Sequence, residues 1–276
     1  MNNDQTTHAL KQALAERFGE EVAIPPGLEG LDQLLAIASQ ATHRAWAQRP
    51  VDADLVKLLA ACALSAPTKS YLQQADIVDI RDPAARAALE SLVPAMPWMT
   101  SAPALLVFCG NGRRFRRIFE RRNQAFANEH LDGFFNPTVD AALVMMNFIR
   151  AASAVGLVCC PISVLRDRAA ELASLLAMPD HVFPLAGLCI GWPLQARSIS
   201  PRLPLAATLH RDRFDERRTD ALIDDFDSRY VAVQAGRRPP GSSAPQTWSD
   251  ERTKQYASSQ RQDWGEFIRR QKFDLS

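Results

Sequence analysis

The sequence lacks the glycine-rich loops that mark many nucleotide-binding folds. No G-x-G-x-x-G follows a candidate strand, and no G-x-x-x-x-G-K-[ST] occurs anywhere in the 276 residues. Because these loops cradle phosphates with backbone amides, their absence argues against a Rossmann dinucleotide site or a P-loop of the usual kind. A nucleotide cofactor would have to be held by side chains and scattered backbone amides.

Cysteine and histidine patterns typical of metal sites and hydrolases are missing as well. The five cysteines form no C-x-x-C pair, and four of them stand in strongly apolar contexts. Such cysteines are typical of small buried thiols in a reducing compartment. The histidines have no partnered nucleophile and no ligand spacing, so we expect neither a metal site nor a hydrolytic constellation.

The chain also lacks an excess of charge and any long apolar run. Its 32 basic and 31 acidic side chains leave a formal net charge of +1 at pH 7, which gives no general field for nucleic acid or a membrane surface. The polar N-terminus does not have the pattern of a signal peptide, and no run is long enough to cross a bilayer. We therefore expect a cytoplasmic protein without nucleic-acid or membrane partners. The densest basic cluster, residues 113–122, is interrupted by apolar residues, which favours the solvated face of a helix whose other face is buried.

Candidate helices and strands alternate between residues 37 and 215. This order indicates an α+β or α/β class, with a central sheet and helices packed on it. Apolar runs and turn residues predict strands over residues 77–80, 103–109, 158–161 and 182–190. Helical periodicity predicts helices over residues 51–64, with Asp52 as N-cap, and over 137–155 and 166–177.

Composition divides the chain into three regions. Residues 1–36 read as a helical extension in two pieces, broken at Pro25-Pro26-Gly27. Residues 37–236 form the main domain. Residues 237–276 read as a tail that begins with a polar linker, up to about residue 255, and ends with a short amphipathic segment.

The most informative segment is residues 184–204. A short apolar run closed by Gly191 and Pro193 fits a strand that is covered on both faces. Arg202 follows between Pro201 and the Leu203-Pro204 pair, and these prolines restrict the local backbone. A guanidinium held in this way suits a phosphate.

The two halves of this segment, G-L-C-I-G-W-P and S-P-R-L-P, resemble the FMN-dependent nitroreductase family, most closely its larger NAD(P)H-using branch. The resemblance covers roughly residues 37–250. It implies an α+β sandwich with a central, mostly antiparallel sheet flanked by helices. It also implies a homodimer with flavin sites at its interface, and an FMN phosphate bound by Arg202. The 237–276 tail is then expected to wrap the partner subunit.

Two further segments resemble parts of the family that hold the flavin. In A-T-H-R-A-W, Thr42 and Arg44 match the Arg-Ser-x-Arg-x-Phe signature, with Ala41 in place of the first arginine. Residues 65–73 are similar to the Ala-Pro-Ser-Ser-x-Asn-x-Gln loop, with Tyr71 where asparagine is usual. In the family this loop reaches the flavin bound mainly by the other subunit, which implies FMN contacts from Pro67, Thr68, Lys69 and Ser70.

The resemblance also assigns residues to the flavin ring. Met96 stands in the loop that faces the pyrimidine edge, where an amide side chain is usual. Residues Pro161, Ile162 and Ser163 resemble the loop that presents backbone N–H groups to the ring. Such donors stabilise the negative charge of the reduced flavin. Ser200 stands where relatives often carry lysine, which leaves Arg44 and Arg202 to carry most of the charge that faces the phosphate.

The activity that this resemblance implies is a ping-pong transfer of hydride from NADPH or NADH, through flavin N5, to a nitroaromatic, quinone or flavin acceptor. No protein side chain is expected to be catalytic, because the cofactor carries the chemistry. We expect NADPH to be used at least as well as NADH, since Arg237 and Arg238 can meet a 2′-phosphate. Two alternatives remain open: a flavoenzyme of the same fold with different chemistry, such as dehalogenation or flavin cleavage, and a non-catalytic FMN-binding protein.

Overall fold

The structure is a computed structural model that describes residues 2–239 and 241–276, so Pro240 of the predicted linker lies outside the described residues. The chain divides into two units. The larger unit comprises Thr42–Ala196 and Arg261–Ser276, and the smaller comprises Met1–Ala41 and Arg197–Gln260.

A four-stranded antiparallel sheet forms the centre of the larger unit. Its strands are β1 (Ala75–Asp79), β2 (Ala104–Asn111), β3 (Val158–Ile162) and β4 (Val182–Gly191), in the order β1-β2-β4-β3. Every residue of β4 is buried, which agrees with a strand covered on both faces. The sequence prediction of an α+β fold with a mostly antiparallel sheet is confirmed, and each predicted strand is present within two residues at either end.

Helices cover both faces of this sheet. On one face, Leu59 and Phe148 pack against Phe108 and Leu188 of the central strands. On the other face, Leu89 and Leu172 pack against the remaining inward side chains of the same strands. The helices of this unit are α3 (Ala53–Leu64), α4 (Pro83–Ser91), α5 (Arg113–Arg121), α6 (Asp132–Ala154), α7 (Ala169–Leu175) and α10 (Trp264–Arg270).

The smaller unit is helical in the residues that the structure describes. Leu10 and Ala13 of its first helix pack against Leu31 and Ala38 of its second, with the predicted break between them. Its helices are α1 (Asn3–Phe18), α2 (Leu31–Ala38), α8 (Thr219–Ala235) and α9 (Trp248–Tyr256).

Helix α9 lies within the segment whose polar composition predicts a linker, so that prediction is wrong over residues 248–256. Thr247 caps the helix by accepting from the Asp250 N–H, and Trp248 packs edge-on against Phe226 of α8. Asp227 of α8 accepts from the backbone N–H of Ser249 at 3.0 Å. A cap and one aromatic anchor therefore stabilise a helix that its average polarity does not indicate.

Two helix predictions need correction. The predicted helix over residues 166–177 is a 3₁₀ turn, Val164–Arg168, followed by the shorter α7. The buried face of α5 is expected to be apolar, but the buried side chain of this helix is Arg116. It donates to Glu129 through Nε at 2.7 Å and lies 4.9 Å from the ring centre of Phe126. An ion pair and a cation–π contact thus compensate for the burial of this arginine.

None of the described helices is long and apolar enough to cross a membrane. The buried thiols are as predicted: Cys109, Cys159, Cys160 and Cys189 are buried and free, whereas Cys62 is exposed. Within the described ranges, no group of histidine, cysteine and acidic side chains has the arrangement of a metal site.

Candidate functional site

The first predicted flavin segment runs alongside the ends of β3 and β4. The His43 N–H donates to the Cys159 carbonyl at 3.3 Å, and Trp46 forms an isolated antiparallel bridge with Pro193. The Trp46 indole lies directly on the backbone of Gly191, where an added Cβ would stand 2.5 Å from indole Cδ1. Because only glycine permits this approach, the strand end fixes Trp46 and with it the segment that contains Arg44.

Arg44 is exposed and lies beside Cys160 of β3. Its guanidinium carbon is 5.7 Å from the ring centre of Trp98, within the range of a cation–π contact. Burial raises the pKa of the Cys160 thiol, and the neighbouring Arg44 guanidinium acts in the opposite direction. Among the described residues, no carboxylate forms an ion pair with Arg44, so its charge is available to a ligand.

Three of the predicted segments meet at this place. Strand β3 continues from Cys160 into Pro161 and Ile162 and ends before the exposed Ser163. Met96 and Trp98 pack on the apolar cluster that contains Trp46, Cys160 and Ile162. The structure thus brings together Arg44, Met96 and the loop of residues 161–163. Thr42, two residues before Arg44, is exposed.

The loop of residues 67–70 lies elsewhere in this unit, against α6. Its anchor is Asp140, a carboxylate only 2% exposed. Asp140 Oδ2 accepts from the Thr68 hydroxyl at 2.5 Å and from the Gln74 N–H at 2.9 Å. Thr68 Oγ1 in turn accepts from the Gln73 N–H at 2.9 Å. The hydroxyl of Thr68 therefore shapes its own loop in this structure, and its contact with FMN stays a prediction.

Sequence reasoning missed Asp140, although a signal was available. It is the one acidic residue between the first turn and the end of the long apolar helix α6. A carboxylate in such a stretch is buried only when donors surround it. Here the donors come from the loop that follows α3, which a linear reading of α6 does not reveal.

The same loop holds three side-chain-bearing residues in the left-handed region. The φ angles are 49° at Ser70, 57° at Tyr71 and 52° at Gln73. Each such residue costs on the order of 1 kcal/mol or more, so the loop persists only because its ends are fixed. Lys69 contributes to one end, with Nζ 3.3 Å from Asp132. At the tip, Tyr71 is 88% exposed.

Next to this loop lies a cavity of about 620 Å³ between α3, β1 and α6. Its polar lining includes Thr68, Gln74, Asp76 and Arg114. Gln74 is buried, and its Oε1 has no hydrogen-bond partner among the described residues. The cavity therefore offers one unsatisfied acceptor beside an otherwise bonded loop.

Arg202 belongs to the smaller unit. Its N–H donates to the Arg17 carbonyl at 2.6 Å, and Arg229 donates to the Arg202 carbonyl. The preceding Pro201 is buried, whereas the Arg202 side chain is exposed and forms no ion pair in the described part of the chain. An exposed guanidinium without a carboxylate partner, which Arg202 shares with Arg44 of the larger unit, suits a phosphate.

The two arginines predicted to bind the pyridine nucleotide donate to backbone carbonyls. Arg237 Nη2 donates to the Ile199 carbonyl at 2.6 Å, and Arg238 Nη1 donates to the Ser243 carbonyl at 2.5 Å. Both contacts are exposed. A ligand phosphate can therefore exchange with them at little cost.

Comparison with known proteins agrees with the resemblance read from the sequence. Residues 37–192 match the model of the nitroreductase family, and residues 200–276 match the model of the C-terminal domain of that family. An FMN reductase (NADPH) of Bacillus subtilis is 28% identical over 222 residues, which are 78% of this chain and 87% of the relative. An oxygen-insensitive NADPH nitroreductase of Salmonella typhimurium is 30% identical over 208 residues, which are 75% of this chain and 83% of the relative.

Solved structures show the same fold. The NfrA1 nitroreductase of B. subtilis superposes with a TM-score of 0.82 at 25% identity, over 88% of this chain and 99% of that one. The NADPH:FMN oxidoreductase of Vibrio harveyi, solved in complex with NAD+, gives a TM-score of 0.76 at 24% identity, over 87% of this chain and 97% of that one. The family model matches residues 37–192, more than half of the chain, and the solved structures share the fold. This chain belongs to the nitroreductase family.

Proposed function

We propose that this chain is an FMN-dependent oxidoreductase that passes hydride from NAD(P)H, through its flavin, to a small organic acceptor. The observation that carries the proposal is the pair of guanidiniums, Arg44 and Arg202, which stand in the two phosphate-binding patterns of the family and form no ion pair in the described chain. The names of the relatives, an FMN reductase and an NADPH nitroreductase, support the same activity. Nitroaromatic compounds, quinones and free flavin are the proposed acceptors.

The chain's own residues supply binding and electrostatics. Arg44 and Arg202 would hold the FMN phosphate, and Thr42 would add a hydroxyl at the same end. Residues 161–163 and Met96 would lie along the ring. When bound, FMN accepts a hydride from the nicotinamide and delivers it to the acceptor.

The reaction needs no acid or base from the protein in this proposal. The Cys160 thiol beside Arg44 stays neutral because burial raises its pKa. Pro161 has no N–H, so Ile162 and Ser163 at the end of β3 would supply the backbone N–H groups that stabilise developing negative charge without a proton transfer. The acceptor and the nicotinamide would use the same open space in turn.

We propose further that the active form is a homodimer. Phe135, Val139, Leu143 and Met146 lie along one side of α6, and each is between 39% and 55% exposed. Their spacing of four, four and three residues makes a continuous apolar stripe. A helix with such an exposed stripe is typical of a subunit interface. The loop of residues 67–70 is fixed to the same helix by Asp140 and would reach the partner's flavin.

Reconstitution of the flavin-free protein tests the proposal. FMN should bind with quenched fluorescence, and Arg202→Ala should weaken binding roughly 10-fold to 100-fold, because a charge-assisted contact contributes about 1.5 to 3 kcal/mol. Arg121→Ala, which removes an exposed arginine of α5, is the matched control and should leave the affinity unchanged.

Stopped-flow mixing of the loaded protein with NADPH and with NADH then tests the chemistry. Bleaching of the flavin absorbance at a rate that depends on nucleotide concentration is expected. A protein that binds FMN but is never bleached would be a non-catalytic FMN binder, and a protein that cannot be reconstituted would disprove the proposal.

A further inference from the structure

Helix α1 precedes the regions that both family models match, which begin at residues 37 and 200. Nevertheless, its C-terminal end contacts the loop that carries Arg202. The contact residue is Arg17, which is in the last turn of α1 and only 8% exposed. No carboxylate lies within ion-pair distance of it among the described residues.

The Arg17 guanidinium joins three backbone segments. Its Nε donates to the Ala38 carbonyl at 2.9 Å, its Nη2 to the Gln40 carbonyl at 2.6 Å, and its Nη1 to the Ser200 carbonyl at 3.2 Å. The first carbonyl belongs to the last residue of α2, the second lies two residues after that helix, and the third lies two residues before Arg202. A planar guanidinium spreads its donors over three nitrogens in fixed directions, whereas an ammonium carries its three donors on one nitrogen.

The end of α1 holds the Arg202 loop at two further points. The Arg202 N–H donates to the carbonyl of Arg17 at 2.6 Å, and the Leu205 N–H donates to Glu20 Oε1 at 2.6 Å. Arg229 of α8 closes the arrangement, because it donates to the Arg17 carbonyl at 3.2 Å and also to the Arg202 carbonyl. Both backbone polar groups of Arg202 are therefore bonded, whereas its side chain stays exposed.

The turn after α1 is shaped for this contact. Gly19 has a φ of 75°, in the left-handed region, and it ends the helix. An added Cβ at Gly19 would lie 2.5 Å from Arg229 Nε. The absence of a side chain thus allows Arg229 to pass between the end of α1 and the Arg202 loop.

The positive charges of Arg17 and Arg202 are not compensated by a carboxylate in the described part of the chain. Burial lowers the pKa of Arg17, and the neighbouring Arg202 guanidinium acts in the same direction. The two cations stand close enough to repel each other, and the Arg202 side chain has no acidic partner. A bound anion at Arg202 would relieve this repulsion.

We propose that α1 is a positioning element for the flavin phosphate site and that Arg17 is the residue through which it acts. This inference rests on the proposed function, because it takes Arg202 as the ligand of the FMN phosphate. Arg17 donates to backbone carbonyls and would not touch the phosphate itself. It would act by fixing the backbone on either side of Arg202. A loop ordered before the cofactor arrives binds more tightly, because less conformational entropy is lost on binding.

Two substitutions at Arg17 separate geometry from charge. Arg17→Met removes the contacts with all three carbonyls. Arg17→Lys keeps the charge but loses the planar guanidinium that reaches the three carbonyls at once. Both should raise the Kd of FMN about tenfold, measured by fluorescence quenching of the full-length, flavin-free protein. The matched control is Leu10→Ala, which weakens the packing of α1 on α2 away from Arg202 and should leave the Kd within about twofold.

Hydrogen exchange of the flavin-free protein supplies a readout that needs no cofactor. Amides in residues 200–206 should exchange faster in both Arg17 variants than in the wild type and in Leu10→Ala. Restoration of FMN affinity by Arg17→Lys would overturn the positioning role in favour of a simple charge effect. An unchanged Kd in Arg17→Met would overturn it outright.

A failure of the proposed function can be distinguished from a failure of the role proposed for Arg17. If the wild type does not bind FMN, or if Arg202→Ala has no effect, the assignment of the phosphate site is wrong whatever the Arg17 variants do. Hydrogen exchange still decides in that case whether α1 orders the loop, and unchanged exchange in Arg17→Met would refute that role too.

Discussion

Asp140 offers the sharpest test of how this fold fixes a strained loop. Its carboxylate accepts from the Thr68 hydroxyl at 2.5 Å, in a partly buried contact, and from the Gln74 N–H at 2.9 Å, in a buried one. A hydrogen bond to a charged group contributes about 1.5 to 3 kcal/mol. Asp140→Ala removes these two bonds and a longer one from the Lys69 N–H at 3.5 Å, so three donors lose their partner and the free energy of unfolding should fall by roughly 3 to 5 kcal/mol.

Asp140→Asn keeps an oxygen in place but loses the charge. The two bonds then become neutral ones, which contribute about 1 kcal/mol each, so a loss of roughly 2 kcal/mol is expected. Urea unfolding of the flavin-free protein, followed by far-UV circular dichroism, measures these changes through the transition midpoint.

Asp132→Ala is the matched control on the same helix. Asp132 pairs with Lys69 at 3.3 Å, but both side chains are at least half exposed, so the loss should stay below about 1 kcal/mol. If Asp140→Ala costs no more than Asp132→Ala, the loop is held by something other than the buried carboxylate, and the reasoning fails.

Three other predictions concern the interface, the nucleotide and the thiols. Leu143→Glu, which places a charge in the apolar stripe of α6, should give monomers by light scattering and a loss of FMN retention; a dimer that persists would place the interface elsewhere. Replacing both Arg237 and Arg238 with alanine should raise the KM for NADPH and leave that for NADH nearly unchanged, whereas equal effects on both nucleotides would remove the pair from the site. Burial raises the pKa of Cys109 and Cys159 to about 12, so these thiols stay protonated at pH 8. Ellman's reagent at that pH should therefore modify no more than one thiol per native chain, the exposed Cys62, and two or more fast-reacting thiols would contradict the burial.

The sheet was predictable from the sequence because its strands are short apolar runs with clear ends. Strand β4 reads as buried on both faces, and Gly191 and Pro193 mark its end. The pairing order β1-β2-β4-β3 was not predictable in the same way, since it depends on contacts between distant segments.

The candidate site was predictable only in part. Motif matches pointed to Arg44 and Arg202, and the structure leaves both guanidiniums exposed and without an ion pair in the described chain. The anchoring of the neighbouring loop was not predictable, because Lys69-Ser70-Tyr71 contains no glycine or asparagine to indicate left-handed backbone. Helix α9 was missed since capping and one aromatic contact outweigh its polar composition.

The contact of Trp46 with Gly191 has a consequence for how this protein can vary. An added Cβ at Gly191 would stand 2.5 Å from the indole, so no side chain fits there while tryptophan remains at position 46. A substitution at either position alone is therefore damaging or leaves a void, and a smaller residue at 46 does not by itself make room at 191, because Pro103 Cδ would also stand 2.6 Å from the added Cβ. Glycine should therefore persist at position 191 unless both Trp46 and Pro103 change, and a mutagenesis library directed at the segment that contains Arg44 should vary these three positions together.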